Sequence, residues 1–210
     1  MELKNITSHE YTLNKEKRCK IKKHKSLLIW LTGLSGSGKS TIANALEIEF
    51  FQMNIHTYTL DGDNVRSGLN KDLTFSPEDR SENIRRIAET SKLMLDAGLV
   101  VIAAFITPYA CDRELVKNII GFEEVVEIFV DTPLAECERR DVKGLYKKAR
   151  ANEIKNMTGI DSPYENPIKP DITINTLEES LRDSVKRIIE FTIPKIALKK
   201  EIESLNQLVH

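Results

Sequence analysis

Short apolar runs alternate with amphipathic stretches along most of this chain, starting at Leu27. The apolar runs predict buried strands at residues 27–31, 55–60, 99–105, 125–130 and 172–174. Apolar residues recur with helical spacing in residues 41–52, 77–97, 109–120, 134–141 and 177–191. Strands that alternate with helices form βαβ units. The pattern therefore predicts an α/β fold, a three-layer sandwich whose mostly parallel, five-stranded sheet has helices on both faces.

Right-handed connections place the carboxyl ends of parallel strands on one edge of the sheet, where open α/β sheets bind their ligands. We therefore expect the functional residues in the loops that directly follow the strands.

Three segments lie outside this pattern. Residues 1–25 form a polar arm with seven Lys or Arg between Lys15 and Lys25, predicted to be solvated and partly ordered; a docking surface for a partner subunit or an anionic ligand is the alternative. Residues 142–170, rich in Lys, Gly, Asn and Pro, predict a mobile lid, here called the flap. The main domain is expected at residues 26–192, followed by an extension at 193–210 in which residues 196–209 could form an amphipathic helix.

Composition excludes several classes of protein. The 31 basic and 32 acidic residues leave a net charge of -1, which argues against a nucleic-acid partner. Cys19, Cys111 and Cys137 are widely spaced, which indicates a reducing, cytoplasmic setting rather than a disulfide scaffold. The longest apolar stretch, residues 97–106, is too short for a membrane span, and the first 26 residues contain no apolar run of signal-peptide length.

Residues 33–40, GLSGSGKS, match the phosphate-binding P-loop motif G-x-x-x-x-G-K-[ST] and lie between a predicted strand and a predicted helix. The glycines allow backbone N–H groups to surround phosphate oxygens, and the helix N-terminus adds a positive dipole. Lys39 is placed to reach the β- and γ-phosphates, and the Ser40 hydroxyl to bind Mg²⁺.

The P-loop alone does not distinguish a GTPase, a motor-type ATPase and a small-molecule kinase. A GTPase requires N-K-x-D, but residues 70–73 read NKDL. A motor-type ATPase usually has an acidic residue at the end of a later hydrophobic strand, whereas residues 99–105 run into Ile106-Thr107-Pro108. A small-molecule kinase requires an acceptor pocket after the second strand and a basic lid, and both are present. The sequence therefore favours a kinase.

The acceptor pocket is expected at residues 61–66, DGDNVR, where Asp63 could orient an attacking hydroxyl. A turn that caps the next helix is the alternative.

Arg66 and Arg80 suit an anionic substrate, since guanidinium groups match phosphate and sulfate oxygens. Asn83 shares a helix face with Arg80. Arg85 and Arg86 are predicted to be surface charges. Phe75 could stack on a base or contact its helix, and the basic residues 139–150 could close over the transferred phosphoryl group.

Together these segments resemble the adenylylsulfate (APS) kinase family over residues 26–192. The resemblance rests on GLSGSGKST, DGDNVRSGLNKDLTFSPEDRSENIRR, ITPY, IFVDTP and RDVKGLYKKARANEIKNMTGIDSPYE, in this order. It implies ATP-dependent phosphorylation of the 3′-hydroxyl of adenosine 5′-phosphosulfate (APS), giving 3′-phosphoadenosine 5′-phosphosulfate (PAPS) and ADP, with Mg²⁺ and usually in a homodimer.

The resemblance also implies roles for individual residues. Asp63 orients the hydroxyl, and Phe75 lies against the APS adenine. The other expected substrate-binding residues are Arg66, Arg80, Asn83, Ile106, Thr107, Lys143 and Met157. The expected ATP-binding residues are Gly33, Ser35, Gly36, Ser37, Gly38, Lys39, Ser40, Thr41 and Arg139.

Four positions depart from the family pattern. Thr107 stands where the family has serine, Met157 where it has phenylalanine against the adenine, Ser67 where histidine is common and Thr74 where glycine is common. The last three surround the acceptor base. They leave open transfer to another nucleotide 5′-anhydride or phosphoramidate. A nucleotide-binding regulatory module without turnover is a separate alternative.

Overall fold

A computed structural model describes residue 9 and residues 11–198 of the chain. Its strands are β1 (Leu27–Thr32), β2 (Thr57–Asp61), β3 (Val100–Ala104), β4 (Val125–Val130) and β5 (Ile172–Ile174). Its α-helices are α1 (Lys15–Lys22), α2 (Lys39–Gln52), α3 (Gly62–Ser67), α4 (Pro77–Asp96), α5 (Ala110–Ile120), α6 (Leu134–Arg140), α7 (Leu145–Arg150) and α8 (Leu181–Ile196). A 3₁₀ turn, Phe122–Glu124, precedes β4.

The strands form one five-stranded sheet in the order β2-β3-β1-β4-β5, and every pairing between them is parallel. The predicted α/β fold is therefore confirmed. Strand β1 lies in the centre, so the P-loop that follows it is flanked by the loops after β3 and β4. Asp61, the last residue of β2, pairs with Ala104 at the end of β3. The segments expected to carry function thus meet at one edge of the sheet.

Two apolar cores cover the two faces of the sheet. Successive residues of a strand point to opposite faces, so Leu27, Ile29 and Leu31 pack in the core formed with α2 and α8. Leu28 and Trp30 pack in the other core, with α4 and α5. Because β1 is buried on both sides, its sequence shows a continuous apolar run without alternation.

Helix α4 begins and ends close to its predicted positions. The Ser76 side chain accepts a hydrogen bond from the backbone of Asp79, and Pro77 occupies the first turn. Gly98, which follows the helix, has a φ of +84°. Arg80 and Asn83 lie in the first two turns of this 20-residue helix.

The N-terminal arm, expected to be solvated and partly ordered, contains a helix that its sequence did not predict. Residues 15–22 form α1, which buries Cys19. Lys15 pairs with Glu124 at 2.5 Å and Arg18 with Asp96 at 2.5 Å. A capping interaction and ion pairs to the domain stabilise this helix, so its sequence lacks an apolar period. The expected helix at residues 196–209 falls mostly outside the described residues; Ile196 itself ends α8.

The flap also contains more packed structure than its composition indicates. Tyr146 and Ala149 of α7 pack with Met157 and with Cys137 of α6 in a small apolar cluster, here called the flap cluster. The flap is therefore partly built around its own core. Across the described part of the chain, none of the helices is long and apolar enough to cross a membrane.

Candidate active site

The P-loop follows β1 and leads directly into α2. A side chain could not replace the hydrogen of Gly33, because a Cβ there would lie 2.6 Å from the carbonyl oxygen of Val130. Gly38 caps α2 with a φ of +108°, a conformation that glycine adopts readily. The loop therefore turns tightly and presents the N-terminus of a 14-residue helix to an anion.

Lys39 lies inside this turn. Its Nζ donates hydrogen bonds to the carbonyl oxygens of Gly33 at 2.9 Å and Leu34 at 2.7 Å. Burial lowers the pKa of Lys39 to about 8, while the nearby Cys137 and Asp61 act in the opposite direction. The ammonium group is thus desolvated and held by neutral acceptors, which favours an interaction with an anion.

A carboxylate connects the P-loop to the acceptor segment. One oxygen of Asp61 accepts a hydrogen bond from the Ser40 hydroxyl at 2.6 Å. The other accepts from the backbone N–H of Asp63 at 3.1 Å and caps α3. The capping alternative therefore describes Asp61 and leaves Asp63 free for another role. The Ser40 hydroxyl and the Asp61 carboxylate form an oxygen donor pair of the kind that Mg²⁺ prefers.

The rest of a metal shell would come from outside the protein. Among the described residues, no three His, Cys, Asp or Glu side chains converge on one point. Mg²⁺ commonly keeps several waters and substrate phosphate oxygens as ligands, so one hydroxyl and one carboxylate fit a nucleotide-bound ion.

Asp63 faces the flap. Its carboxylate forms an ion pair with the Nζ of Lys143, and both side chains are more than half exposed. Two residues that are 80 positions apart and were assigned to the same pocket are therefore in contact.

Arg66 and Arg80 lie around Phe75. Arg66 donates to the carbonyl oxygen of Thr74 at 3.0 Å, and its guanidinium group lies 4.5 Å from the centre of the Phe75 ring. Arg80 donates to the carbonyl oxygen of Phe75 at 3.1 Å. It also donates to the Thr158 hydroxyl at 2.7 Å and to the carbonyl oxygen of Asn156. Arg80 therefore connects α4 to the flap, while the Phe75 ring stays 60% exposed.

The remaining polar residues of α4 have two kinds of surroundings. Asn83 is buried and accepts a hydrogen bond from the Asn70 side chain at 2.9 Å. Arg85 and Arg86 both bond to Glu82, and these bonds lower the pKa of Glu82 to about 2. Their prediction as surface charges is confirmed.

The structure corrects the expectation for the Thr107 hydroxyl. Thr107 is 1% exposed, and its Oγ1 accepts a hydrogen bond from the indole Nε1 of Trp30 at 3.0 Å. The hydroxyl is therefore engaged in the core and is not free for a substrate. Ile106 faces the P-loop through its carbonyl oxygen, which accepts from the backbone N–H of Gly33 at 3.4 Å and from the Thr32 hydroxyl at 2.7 Å.

Met157 and Arg139 also differ from their expected surroundings. Met157 is 7% exposed within the flap cluster, so its side chain packs against protein rather than lying open to a base. The side chain of Arg139 is 73% exposed and pairs with Glu136. The neighbouring Arg140 instead lies 3.3 Å from the carbonyl oxygens of Gly36 and Ser37.

The other two departures from the family pattern form local contacts. The Ser67 hydroxyl donates to the carbonyl oxygen of Asn64 at 2.8 Å, and the Thr74 hydroxyl donates to Asp79.

Asp61 and Arg140 lie within the predicted segments 61–66 and 139–150, but neither was predicted to have a role of its own, and Thr176 was not predicted to belong to the site. Thr176 follows β5, and its hydroxyl lies 2.7 Å from that of Thr132, which donates to the carbonyl oxygen of Ser37. Position after a strand was a usable signal for Asp61 and Thr176. No signal separates Arg139 from Arg140, since adjacent helical residues differ only in the direction they face.

Comparisons with known proteins identify the family to which the chain is similar. The sequence model described as "Adenylylsulphate kinase" matches residues 25–175. The adenylyl-sulfate kinase of Oceanobacillus iheyensis is 56% identical over 187 residues, which are 89% of this chain and 94% of that protein.

Two solved structures are similar as well. The APS kinase of Mycobacterium tuberculosis, in complex with AMPPNP and APS, has a TM-score of 0.77 and 45% identity over 79% of this chain and 96% of that chain. A hexameric APS kinase from Thiobacillus denitrificans has a TM-score of 0.63 and 27% identity over 83% of this chain and 30% of that chain.

Proposed function

Because this chain belongs to the adenylylsulphate kinase family and catalyses ATP-dependent phosphorylation of the 3′-hydroxyl of APS, giving PAPS and ADP, we propose that the residues around Asp61 carry out this transfer. The supporting observation is the Asp61 carboxylate, which bonds to Ser40 of the P-loop and to the backbone of Asp63 at the same time. A phosphoryl donor at the P-loop would thus lie beside an acceptor held at Asp63.

On the donor side, the P-loop N–H groups and Lys39 bind the phosphates of ATP. Thr41 and the positions Gly33, Ser35, Gly36, Ser37 and Gly38 belong to this binding surface. Arg140, rather than Arg139, supplies the cation next to it, since Arg140 reaches the loop carbonyls. Ser40 and Asp61 would hold Mg²⁺, which would neutralise charge on the β- and γ-phosphates.

On the acceptor side, Asp63 accepts a hydrogen bond from the 3′-hydroxyl and takes its proton late in the transfer. Phosphoryl transfer has a loose transition state, so a carboxylate of ordinary basicity is sufficient. Lys143 is the present partner of Asp63, and an incoming substrate would replace part of that contact. Arg66, Arg80 and Asn83 bind the anionic part and the ribose of APS, and Phe75 offers an exposed ring to the adenine.

We also propose that the protein works as a homodimer in the cytoplasm. All three cysteines lie in the described part of the chain and are unpaired, which is consistent with a reducing compartment.

The test of the site is ADP release with APS as acceptor. Asp63→Asn should lower kcat by about 10²-fold, because a positioned carboxylate typically contributes this much, while ATP binding is retained. Asp72→Asn is the matched control, since Asp72 is an exposed carboxylate that pairs with Arg86 outside the site. The 3′-deoxy analogue of APS should give no ADP. Turnover of Asp63→Asn at the level of the control would remove Asp63 from the mechanism.

A further inference from the structure

Arg113 of α5 is a buried cation that the proposed mechanism does not use. Its side chain is 5% exposed. It donates hydrogen bonds to the carbonyl oxygen of Thr107 at 2.9 Å and to that of Glu165 at 2.6 Å. Its Nε lies 3.2 Å from a Glu127 oxygen, an ion pair without hydrogen-bond alignment. A buried guanidinium group requires such partners, so these contacts fix both carbonyl groups relative to α5.

Thr107 requires this support because its backbone conformation is unfavourable. Its φ is +42°, a region that a β-branched residue rarely occupies. Contacts on two sides hold it there. Trp30 bonds to the hydroxyl, and Arg113 and the Thr32 hydroxyl approach the carbonyl oxygen.

The segment held in this way, residues 106–108, lies between the donor and acceptor sides of the site. The carbonyl oxygen of Ile106 accepts a hydrogen bond from Gly33, the first glycine of the P-loop. The segment follows β3, whose last residue, Ala104, pairs with Asp61. Its conformation therefore affects the spacing between the P-loop and the segment that carries Asp63.

The far end of the flap is attached to the same segment. The backbone N–H of Glu165 donates to the carbonyl oxygen of Pro108 at 2.8 Å. The Glu165 carboxylate accepts from the N–H of Ala110, the first residue of α5, at 2.6 Å. Arg113 bonds to the carbonyl oxygen of Glu165, so one guanidinium group joins the end of the flap to the loop after β3.

We propose that Arg113 is a positioning residue for phosphoryl transfer, because it holds Thr107 in its left-handed conformation and joins residues 106–108 to the end of the flap. This inference rests on the proposed function. Misalignment of reactants by about 1 Å can cost on the order of 10²-fold in rate, so a residue outside the site can affect turnover.

Arg113→Lys tests the proposal. Lysine keeps the charge but cannot bond to both carbonyl groups in the same geometry, and Glu127 retains Lys117 at 2.6 Å as a partner. We expect kcat/KM for APS to fall at least tenfold, while KM for ATP stays within twofold.

Thr107→Gly tests whether Arg113→Lys loses activity through the backbone conformation of residue 107 or through lower stability of the fold. Glycine adopts a φ of +42° without the penalty of a side chain. The double variant Arg113→Lys, Thr107→Gly should therefore have a kcat/KM at least threefold higher than that of Arg113→Lys alone. Arg113→Lys combined with Thr107→Ala is the matched control and should recover less than twofold, because alanine lacks the bond to Trp30, as glycine does, but keeps a Cβ. The melting temperature of the double variant with glycine should not rise above that of Arg113→Lys alone, although its activity does.

Each outcome is decisive. Wild-type kinetics for Arg113→Lys would overturn the proposal, as would a double variant in which Thr107→Gly restores nothing. If Arg113→Lys does not fold, Trp30→Phe is the alternative variant, because it removes the bond to the Thr107 hydroxyl. Trp30→Phe alone should lower kcat/KM. In a protein that already carries Thr107→Gly, Trp30→Phe should lower kcat/KM no further. Absence of APS-dependent ADP release by the wild type would instead refute the proposed function.

Discussion

Lys39 combines a positive charge with burial inside the P-loop, and its pKa of about 8 has a measurable consequence. Near pH 8 about half of the free protein carries a neutral amine at this position, and a bound triphosphate favours the charged form. Binding of a Mg²⁺-loaded, non-hydrolysable ATP analogue should therefore take up a fraction of a proton near pH 8 and almost none at pH 6.5. Titration calorimetry in Tris and in HEPES measures this uptake, because the two buffers differ in ionisation enthalpy.

Lys39→Arg is the control for this experiment, since arginine stays charged throughout the range. It should bind without proton uptake at either pH. Equal binding enthalpies in the two buffers at pH 8 for the wild type would contradict the proton uptake by Lys39.

His24 gives a second pH-dependent prediction, on stability. Its Nε2 accepts a hydrogen bond from the backbone N–H of His56 at 3.0 Å, which requires an unprotonated nitrogen. Burial lowers the pKa of His24 below its ordinary value of 6.5. The unfolded chain therefore binds a proton at this residue first, so the contribution of His24 to stability is present above pH 6.5 and is lost as the pH falls below it.

Urea unfolding at pH 7.5 and 5.5 tests this prediction. His24→Gln should show a smaller loss of unfolding free energy between the two pH values than the wild type. His56→Gln, at an exposed position that keeps its backbone N–H, should retain most of the pH dependence of the wild type, because burial is the main cause of the lowered His24 pKa and the charge of His56 adds less to it. The same pH dependence in all three proteins would exclude His24 as the cause.

Among the elements, the first part of the flap packs in the flap cluster, while Tyr164 near its far end contacts Thr32 of β1 and Phe129 of β4. Met157 is buried in the flap cluster with Tyr146 and Cys137. Met157→Ala should therefore increase proteolysis within residues 142–170 and raise KM for APS. Leu46→Ala, in the core between α2 and the sheet, should instead lower the unfolding free energy by about 2–5 kcal/mol without selective cleavage of the flap. Equal effects of the two variants on flap proteolysis would show that the flap does not open separately.

Elements with a clear apolar period were predictable from sequence. The five strands and the helices α2, α4 and α5 begin and end within a few residues of their predicted bounds. Helices α1 and α7 were missed for a physical reason. Caps and ion pairs to distant residues stabilise α1, and the flap cluster combines residues from separate segments, so neither leaves a periodic signal.

The candidate site was predictable at the level of segments. The motif at residues 33–40 and the position of Asp63 after β2 followed from spacing, because parallel strands bring their carboxyl ends together. The surroundings of Thr107, Met157 and Arg139 could not be predicted, since they depend on which way a side chain faces once distant segments pack.

For the protein as a whole, α1 lies directly against the turn after α4. A Cβ on Gly98 would lie 3.3 Å from backbone atoms of Arg18 and Cys19, and the φ of +84° disfavours any side chain there. Gly98→Ala should therefore displace α1 and expose the Cys19 thiol, which is 6% exposed in the wild type. Thiol labelling should detect a second rapidly reacting cysteine besides the exposed Cys111.

Gly68→Ala is the matched control, because an added Cβ at that position meets no atom within 4 Å. It should leave the labelling pattern unchanged. If only one thiol of Gly98→Ala reacts rapidly, α1 accommodates the added methyl group without moving away from Gly98.

The two-sided bonding of Asp61 has a thermodynamic consequence for the two substrates. A carboxylate that turns toward a nucleotide-bound cation near Ser40 changes its bond to the backbone of Asp63, so occupancy of one half of the site alters the affinity of the other half. Such linkage is reciprocal: the factor by which ATP changes the dissociation constant of APS equals the factor by which APS changes that of ATP.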